Sequence, residues 1–327
     1  LDAVDRQLLD QIQRAFPLEP RPFEALGHRV GVGEAEVLRR IDRMKKDRLV
    51  RQISAIFNTG GLGYRSSLVA MAVSEEALEK AARAVNAYPG VSHNYLRPGS
   101  YNMWFTVAVP PGESLEEVVA GLSEKAGGWP FIILPAIKKY KLAVVLDVLD
   151  EPEGETSTES AAPQVEAGRG FEPTPENVRI VRCIQEDLPL GERPFRVWAV
   201  ELGREEEELL ALIRRWTERG WIRRFAAVLN HREVGFGANG MVVWRCDPDR
   251  IDSMGKILAG HPEVSHCYHR PAHPEWPYNL YAMIHGRSEE ECRAVADRLA
   301  AAVGHADYRI LFSTREFKKI RLKLFWE

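Results

Sequence analysis

With 327 residues and 45% hydrophobic side chains, the chain is long enough for two or more domains and has ample apolar material for their cores. Lysine and arginine (44) nearly balance aspartate and glutamate (47), and the net charge of -3 at a pI near 6.4 excludes an overall electrostatic pull toward nucleic acid or anionic lipid. Cys183, Cys246, Cys267 and Cys292 are widely spaced with no C-x-x-C pair, which argues against a zinc or cluster site, and no apolar run approaches membrane-spanning length.

The opening residues, LDAVDRQLLDQIQR, are charged and periodic where a secretory signal would be apolar, so a soluble cytoplasmic protein with reduced thiols is expected. Leu8, Leu9 and Ile12 recur at helical spacing, a proline-rich turn follows, and Val37, Leu38, Ile41 and Met44 form one helical stripe. LVRQISAIFN then reads as a wing strand. Helix, short helix, longer helix and strand predict a winged helix-turn-helix over residues 1–62. From 63 to 149 the pattern changes to strand (67–73), helix (75–87), strands (93–97 and 101–109), helix (115–125) and a last strand (136–146), the order of a ferredoxin-like module.

Residues 150–173 hold a glutamate-rich stretch of small polar residues without an internal aromatic, the composition of a flexible acidic linker. Beyond it the chain repeats itself. FPLEPRPFEAL (16–26) matches LPLGERPFRVW (188–198), and RLVRQISAIFN (48–58) matches GWIRRFAAVLN (220–230), both at an offset of 172. A second winged helix-turn-helix is predicted over 174–234 and a second ferredoxin-like domain over 235–327, with a last strand at 316–325. The expected fold class is α+β: two tandem copies of one two-domain module, forming an intramolecular pseudo-dimer.

A winged helix followed by a ferredoxin-like module resembles the Lrp/AsnC regulators over nearly all of each copy, most clearly in LDAVDRQLLDQIQR and LRRIDRMKKDRLVRQISAIFN. That resemblance implies an amino-acid-responsive DNA-binding regulator. The recognition helices speak against DNA: the first begins Gly-Glu-Ala-Glu (33–36), and the second carries Glu205, Glu206, Glu207 and Glu208 in a row. Carboxylates there suit the helix dipole and repel a polyanion.

The most specific repetition is VSHNYLRPGSYN (91–102) against VSHCYHRPAHPEWPYN (264–279), the second with a loop four residues longer. Strand alternation puts His93, Tyr95 and Arg97 on one face, and His266, Tyr268 and Arg270 likewise. Such a row is either a polar wall for an anionic ligand or the ordinary rim of a sheet. Five of the nine histidines, His261, His266, His269, His273 and His285, fall in the second copy within 25 residues, available for proton exchange near neutral pH. His266 and His269 point to opposite faces, and no carboxylate cluster accompanies them, so no metal site is expected. Nucleophile-elbow, phosphate-loop and dinucleotide motifs are absent from the sequence.

Acidic recognition helices, two fused Lrp-like copies and the phrase H-x-Y-x-R-P followed by Y-N-[ML]-[WY] together resemble the siroheme decarboxylases, which include the NirD and NirL type subunits of heme d1 biosynthesis and the paired subunits of the alternative heme pathway. The resemblance implies non-oxidative removal of two acetate carboxyl groups from siroheme, giving didecarboxysiroheme without an added cofactor, the iron arriving with the substrate. It implies His266 and His93 as proton donors, with Arg270, Arg97, Tyr268 and Tyr95 binding substrate. The second copy is the expected main reaction site, because it has His269 where the first has Leu96 and a longer loop that could cover a macrocycle. His269 is a candidate iron ligand only if a bulge reorients it. Tyr101 and Tyr278 either hydrogen-bond propionates or are plain strand aromatics, while Trp104, Phe105 and Tyr281 read as core. The partners implied are siroheme and the pairing of the two halves, with room for a homodimer or further decarboxylase subunits. A tetrapyrrole sensor is compatible with the same residues.

Overall fold

The structure is a computed structural model describing residues 1–14, 16–142, 170–229 and 238–326. The predicted linker up to residue 169, and residues 143–146 of one predicted strand, lie outside these. In the first half, α1 (Ala3–Arg14), α2 (Pro22–Val30) and α3 (Glu34–Lys46) precede β1 (Val50–Phe57). Local chemistry sets their ends. Asp2 and Asp5 cap α1 reciprocally, each carboxylate accepting from the other's amide, at 2.8 and 3.1 Å. Pro22 opens α2 where an amide has no helical partner, and Gly31 closes it with φ at 75°.

The half continues with β2 (Arg65–Met71), α4 (Leu78–Asn86), β3 (Val91–Leu96), β4 (Met103–Val109), α5 (Leu115–Ala126), β5 (Phe131–Pro135) and β6 (Lys138–Leu142). The second half repeats the series: α6 (Pro175–Ile184), α7 (Pro194–Leu202), α8 (Glu206–Glu218), β7 (Ile222–Leu229), β8 (Ala238–Trp244), α9 (Ile251–Gly260), β9 (Val264–His269), β10 (Leu280–Gly286), α10 (Glu289–Val303), β11 (Tyr308–Phe312) and β12 (Arg315–Lys319). The α+β class and the tandem organisation are those the sequence predicts.

The halves are joined more intimately than a tether requires. β1 and β7 pair antiparallel, with Ile53 opposite Ala227, and the two winged-helix units share one core in which Phe16, Phe23, Phe195 and Phe225 interlock. The ferredoxin-like sheets are completed reciprocally. Their orders are β12-β3-β4-β2-β5 and β11-β8-β10-β9-β6, so the final strand of each half lies in the sheet of the other.

This corrects the single closing strand predicted for each copy. The apolar run FIILP forms β5, at the edge of its own sheet, whereas the lysine-rich KKYKL beyond Pro135 crosses over as β6; β11 and β12 divide in the same way. α4 and α5 cover one face of the first sheet, and α9 and α10 one face of the second. The uncovered faces stack on each other through Trp104, Ile132 and Leu134 on one side and Val243, Trp276, Tyr281 and Leu311 on the other. The repeated phrase lies beside this seam.

Candidate active site

β3 and β9 carry the repeated phrase, each flanked by a strand of its own half and an exchanged strand of the other. In both, pairing slips just before the histidine: Val91 faces Val107 but His93 faces Thr106, and Val264 faces Ile284 but His266 faces Met283. The skipped residues, Ser92 and Ser265, are bulges, which bring a hydroxyl beside the neighbouring imidazole. Ser92 Oγ lies 2.9 Å from His93 Nδ1, and Ser265 Oγ 3.0 Å from His266 Nδ1. Beyond the serine the copies diverge. Ser92 Oγ meets Thr106 Oγ1 at 2.9 Å, whereas Ser265 Oγ meets His285 Nε2 at 2.8 Å. A hydroxyl donates one proton while accepting another, so His285, Ser265 and His266 form a line along which a proton can pass.

The histidine, tyrosine and arginine of each strand line up on one face. Ring centroids of His93 and Tyr95, and of His266 and Tyr268, are 6.2 Å apart in both copies. The Arg97 guanidinium lies 5.5 Å from the Tyr95 ring centre, and that of Arg270 lies 4.8 Å from Tyr268. Each arginine reaches into the other half, Arg97 donating to the Leu311 carbonyl on β11 and Arg270 to the Leu134 carbonyl on β5. They are only 5% and 9% exposed, and among the described residues neither meets a carboxylate. Burial holds both below the ordinary guanidinium range, Arg97 at about 10. Arg270 Nε is buried without an acceptor. A desolvated cation lacking a counter-ion is costly, and an incoming anion would offset that cost.

The exchanged strands furnish each site differently. Opposite Tyr268 and His266, β6 places Lys139 and Leu142; opposite Tyr95 and His93, β12 places Glu316 and Lys319. The wing strands add Arg223 to the second site and its sequence counterpart Arg51 to the first, each within electrostatic reach of that site's residues. Burial, followed by Lys319, pulls the His93 imidazole below its usual range, Glu316 opposing and Arg51 adding to the effect. Lys139 is lowered by desolvation and then by Arg223 and Arg270, although the residue keeps an exposed surface. Beside the first site, a cleft of about 260 Å³ opens at Tyr95 and Glu316, walled mostly by second-half residues such as Asn239, Glu289 and Phe312.

Other predicted residues do not converge here. Pairing of β9 with β10 runs unbroken from His266 to His269, so the bulge needed to turn His269 toward His266 is absent. His269 instead lies beside Lys138 and within reach of Asp252 on α9, the helix-covered side. Tyr101 and Tyr278 belong to the core between the sheets, with the Tyr101 hydroxyl donating to Glu275 at 2.5 Å. The long second-copy loop is no open cover. Its Trp276, 3% exposed, packs 5.1 Å from Trp104 of the first half and donates from Nε1 to Tyr281 Oη at 2.9 Å. Trp104, Phe105 and Tyr281 are core, as predicted.

The asparagines of the repeated Tyr-Asn pair are structural. Asn102 exchanges two side-chain hydrogen bonds with the Val73 backbone, and Asn279 does so with Cys246, fixing the hairpin behind each arginine. Ser92 and Ser265 were legible in principle as the repeated V-S-H. Lys139, Glu316 and Arg223 were not, because they reach the sites from other elements.

The recognition helices are structurally committed. Glu34 pairs with Arg21 and Glu206 with Arg193, while Arg39 and Arg40 on α3 are bound by Glu36, and Arg40 and Arg43 by Asp5. Among the described residues no group of three or more His, Cys, Asp or Glu is placed to hold a metal ion, and no helix is long and apolar enough to cross a membrane.

Fold and site together define a tandem AsnC-like protein whose paired sheets carry buried, anion-receptive arginines. Residues 61–141 and 233–318 match the AsnC-like ligand binding domain, and residues 5–51 and 177–223 match the siroheme decarboxylase NirDL-like HTH domain. The siroheme decarboxylase of Hydrogenobacter thermophilus is 41% identical over 322 residues, covering 98% of this chain and 95% of that protein. The chain belongs to the siroheme decarboxylase family. A siroheme decarboxylase beta subunit from Methanosarcina barkeri is 43% identical over 148 residues, 97% of its own length and 45% of this chain, matching one half. The crystal structure of the siroheme decarboxylase NirDL in co-complex with an iron-uroporphyrin III analogue has 37% identity and a TM-score of 0.80, covering 99% of this chain and 95% of that one.

Proposed function

We propose that this chain decarboxylates siroheme, converting two acetate side chains to methyl groups and giving didecarboxysiroheme without a redox cofactor, with the second-half triad as the main reaction site. The observation that carries this is the buried Arg270, without a carboxylate partner and with Nε unsatisfied, on the same strand face as His266, which lies beyond Tyr268 on a three-member hydrogen-bond line. The substrate is a polycarboxylate, and the crystallised relative's iron-uroporphyrin III analogue is a tetrapyrrole too.

The reaction is redox-neutral: each acetate and one proton become a methyl group and carbon dioxide. Protonation of the pyrrole ring makes it an electron acceptor, the carbon–carboxyl bond breaks into it to leave an exocyclic methylene, and a proton delivered there forms the methyl as the ring proton departs. His266 is the acid suited to these transfers, resupplied through Ser265 and His285. Arg270 anchors carboxylates that stay on the macrocycle, since tight pairing with the departing one would stabilise the ground state. The iron is part of the substrate.

Anaerobic incubation with siroheme, followed by pigment mass, tests this reading. Wild type is expected to lose two carbon dioxide units, His266→Ala to be slowed by roughly a hundredfold to ten-thousandfold, and His93→Ala far less. Siroheme bound with unchanged mass would overturn the enzyme assignment, and equal losses in both variants would overturn the second-half preference.

A further inference from the structure

The two triads match in spacing and in the bulge that precedes them, so what separates them lies on other elements. At the position facing the tyrosine, the exchanged strand supplies Lys139 to the second site and Glu316 to the first. At the position facing the histidine, the exchanged strand of the first site supplies Lys319. In the second site the added cation faces Tyr268, within electrostatic reach of Arg270, where carboxylates would be held. In the first, Lys319 faces the proton donor, and a carboxylate, Glu316, faces the tyrosine within electrostatic reach of His93. Lys139, Glu316 and Lys319 are exposed, so water weakens their fields, but the difference in sign still biases where a polyanion binds.

We propose that the exchanged strands determine which of the two triads accepts a polycarboxylate macrocycle, with Lys139, contributed by the first half, anchoring a substrate carboxylate in the second-half site and Glu316 excluding one from the first. This rests on the functional reading above. Lys139 and Arg223 form the accessible rim and Arg270 the buried floor, so the site is complete only when the halves exchange strands. The Lys139 ammonium, lowered first by desolvation and then by Arg223 and Arg270, is consistent with cations gathered in advance of an anion.

Anaerobic titration of the full chain with siroheme, read by its visible absorbance, tests the proposal alongside steady-state turnover. Wild type is expected to bind one macrocycle per chain. Lys139→Met is expected to weaken Kd and raise KM by roughly tenfold to a hundredfold, the loss of one charge-assisted contact, with kcat nearly kept; Lys139→Arg should restore both. Glu316→Lys should add a second, weaker equivalent. A Lys139→Met protein that melts like wild type and keeps its Kd and KM would overturn the anchoring role, as two equivalents on wild type, or one on Glu316→Lys, would overturn the exclusion. Siroheme bound without carbon dioxide release would instead sink the decarboxylase reading while leaving the comparison of Kd values intact.

Discussion

The strand around His93 and the strand around His266 share a serine bulge, a histidine–tyrosine spacing of 6.2 Å and a buried arginine reaching the opposite half, yet their surroundings differ in charge, in hydrogen-bond partner and in the loop that follows. The likeness comes from residues within the phrase. The differences come from elsewhere: Lys139 and Glu316 from exchanged strands, His285 and Thr106 from neighbouring strands, and Trp276 from a loop that crosses to the first half. Duplication preserved a backbone device, and the two environments around it were free to diverge.

Four substitutions probe that comparison beyond those already described. The largest effect is expected from Trp276→Ala. This ring fills the seam between the sheets against Trp104 and Tyr278, and its removal should cost about 3–5 kcal/mol in urea unfolding. No residue of the first half's shorter loop lies in that core cluster before Tyr101, so a loss under about 1 kcal/mol would show that the seam does not depend on the asymmetric loop.

A smaller effect, about tenfold in kcat, is expected from His285→Gln, with the pH profile of kcat altered because the proton supply to His266 is interrupted. Thr106→Val, at the matching place in the first half, should leave the profile where it is; equal responses would remove the functional distinction between the two hydrogen-bond lines.

The smallest effect concerns His93. Its folded pKa lies below the unfolded value of 6.5, so the fold favours the neutral ring, and in the window between them the unfolded chain binds more protons. Stability is therefore lost as pH falls from about 6.5 through the depressed value, at no more than about 1.4 kcal/mol per pH unit. In His93→Gln that part of the acid slope in Tm should vanish; an unchanged slope would contradict it.

Much of the architecture was legible because it is written locally. Helical stripes such as Leu8, Leu9 and Ile12, and the period-two alternation that aligned His266 with Tyr268 and Arg270, follow from backbone geometry alone. Strand exchange was not legible: KKYKL reads as a strand whichever sheet receives it, and no local signal names the partner. The same blindness hid Lys139 and Glu316, whose neighbours lie on the other half. His269 shows alternation used well, since its place on the helix-covered face follows from the period. Tyr101 and Trp276 show its limit, because residues in a loop take their surroundings from the packing of sheets that sequence period does not describe.

The reciprocal strands also impose an order on biosynthesis. β6 is made before β9, so the second sheet finds its edge partner already waiting as it emerges. β3, by contrast, is made long before β12, and its outer hydrogen-bonding edge stays bare while nearly all of the second half is translated. The earlier-born sheet is thus the later to be closed, and during that interval the bare edge of β3 is open to pairing with a neighbouring polypeptide.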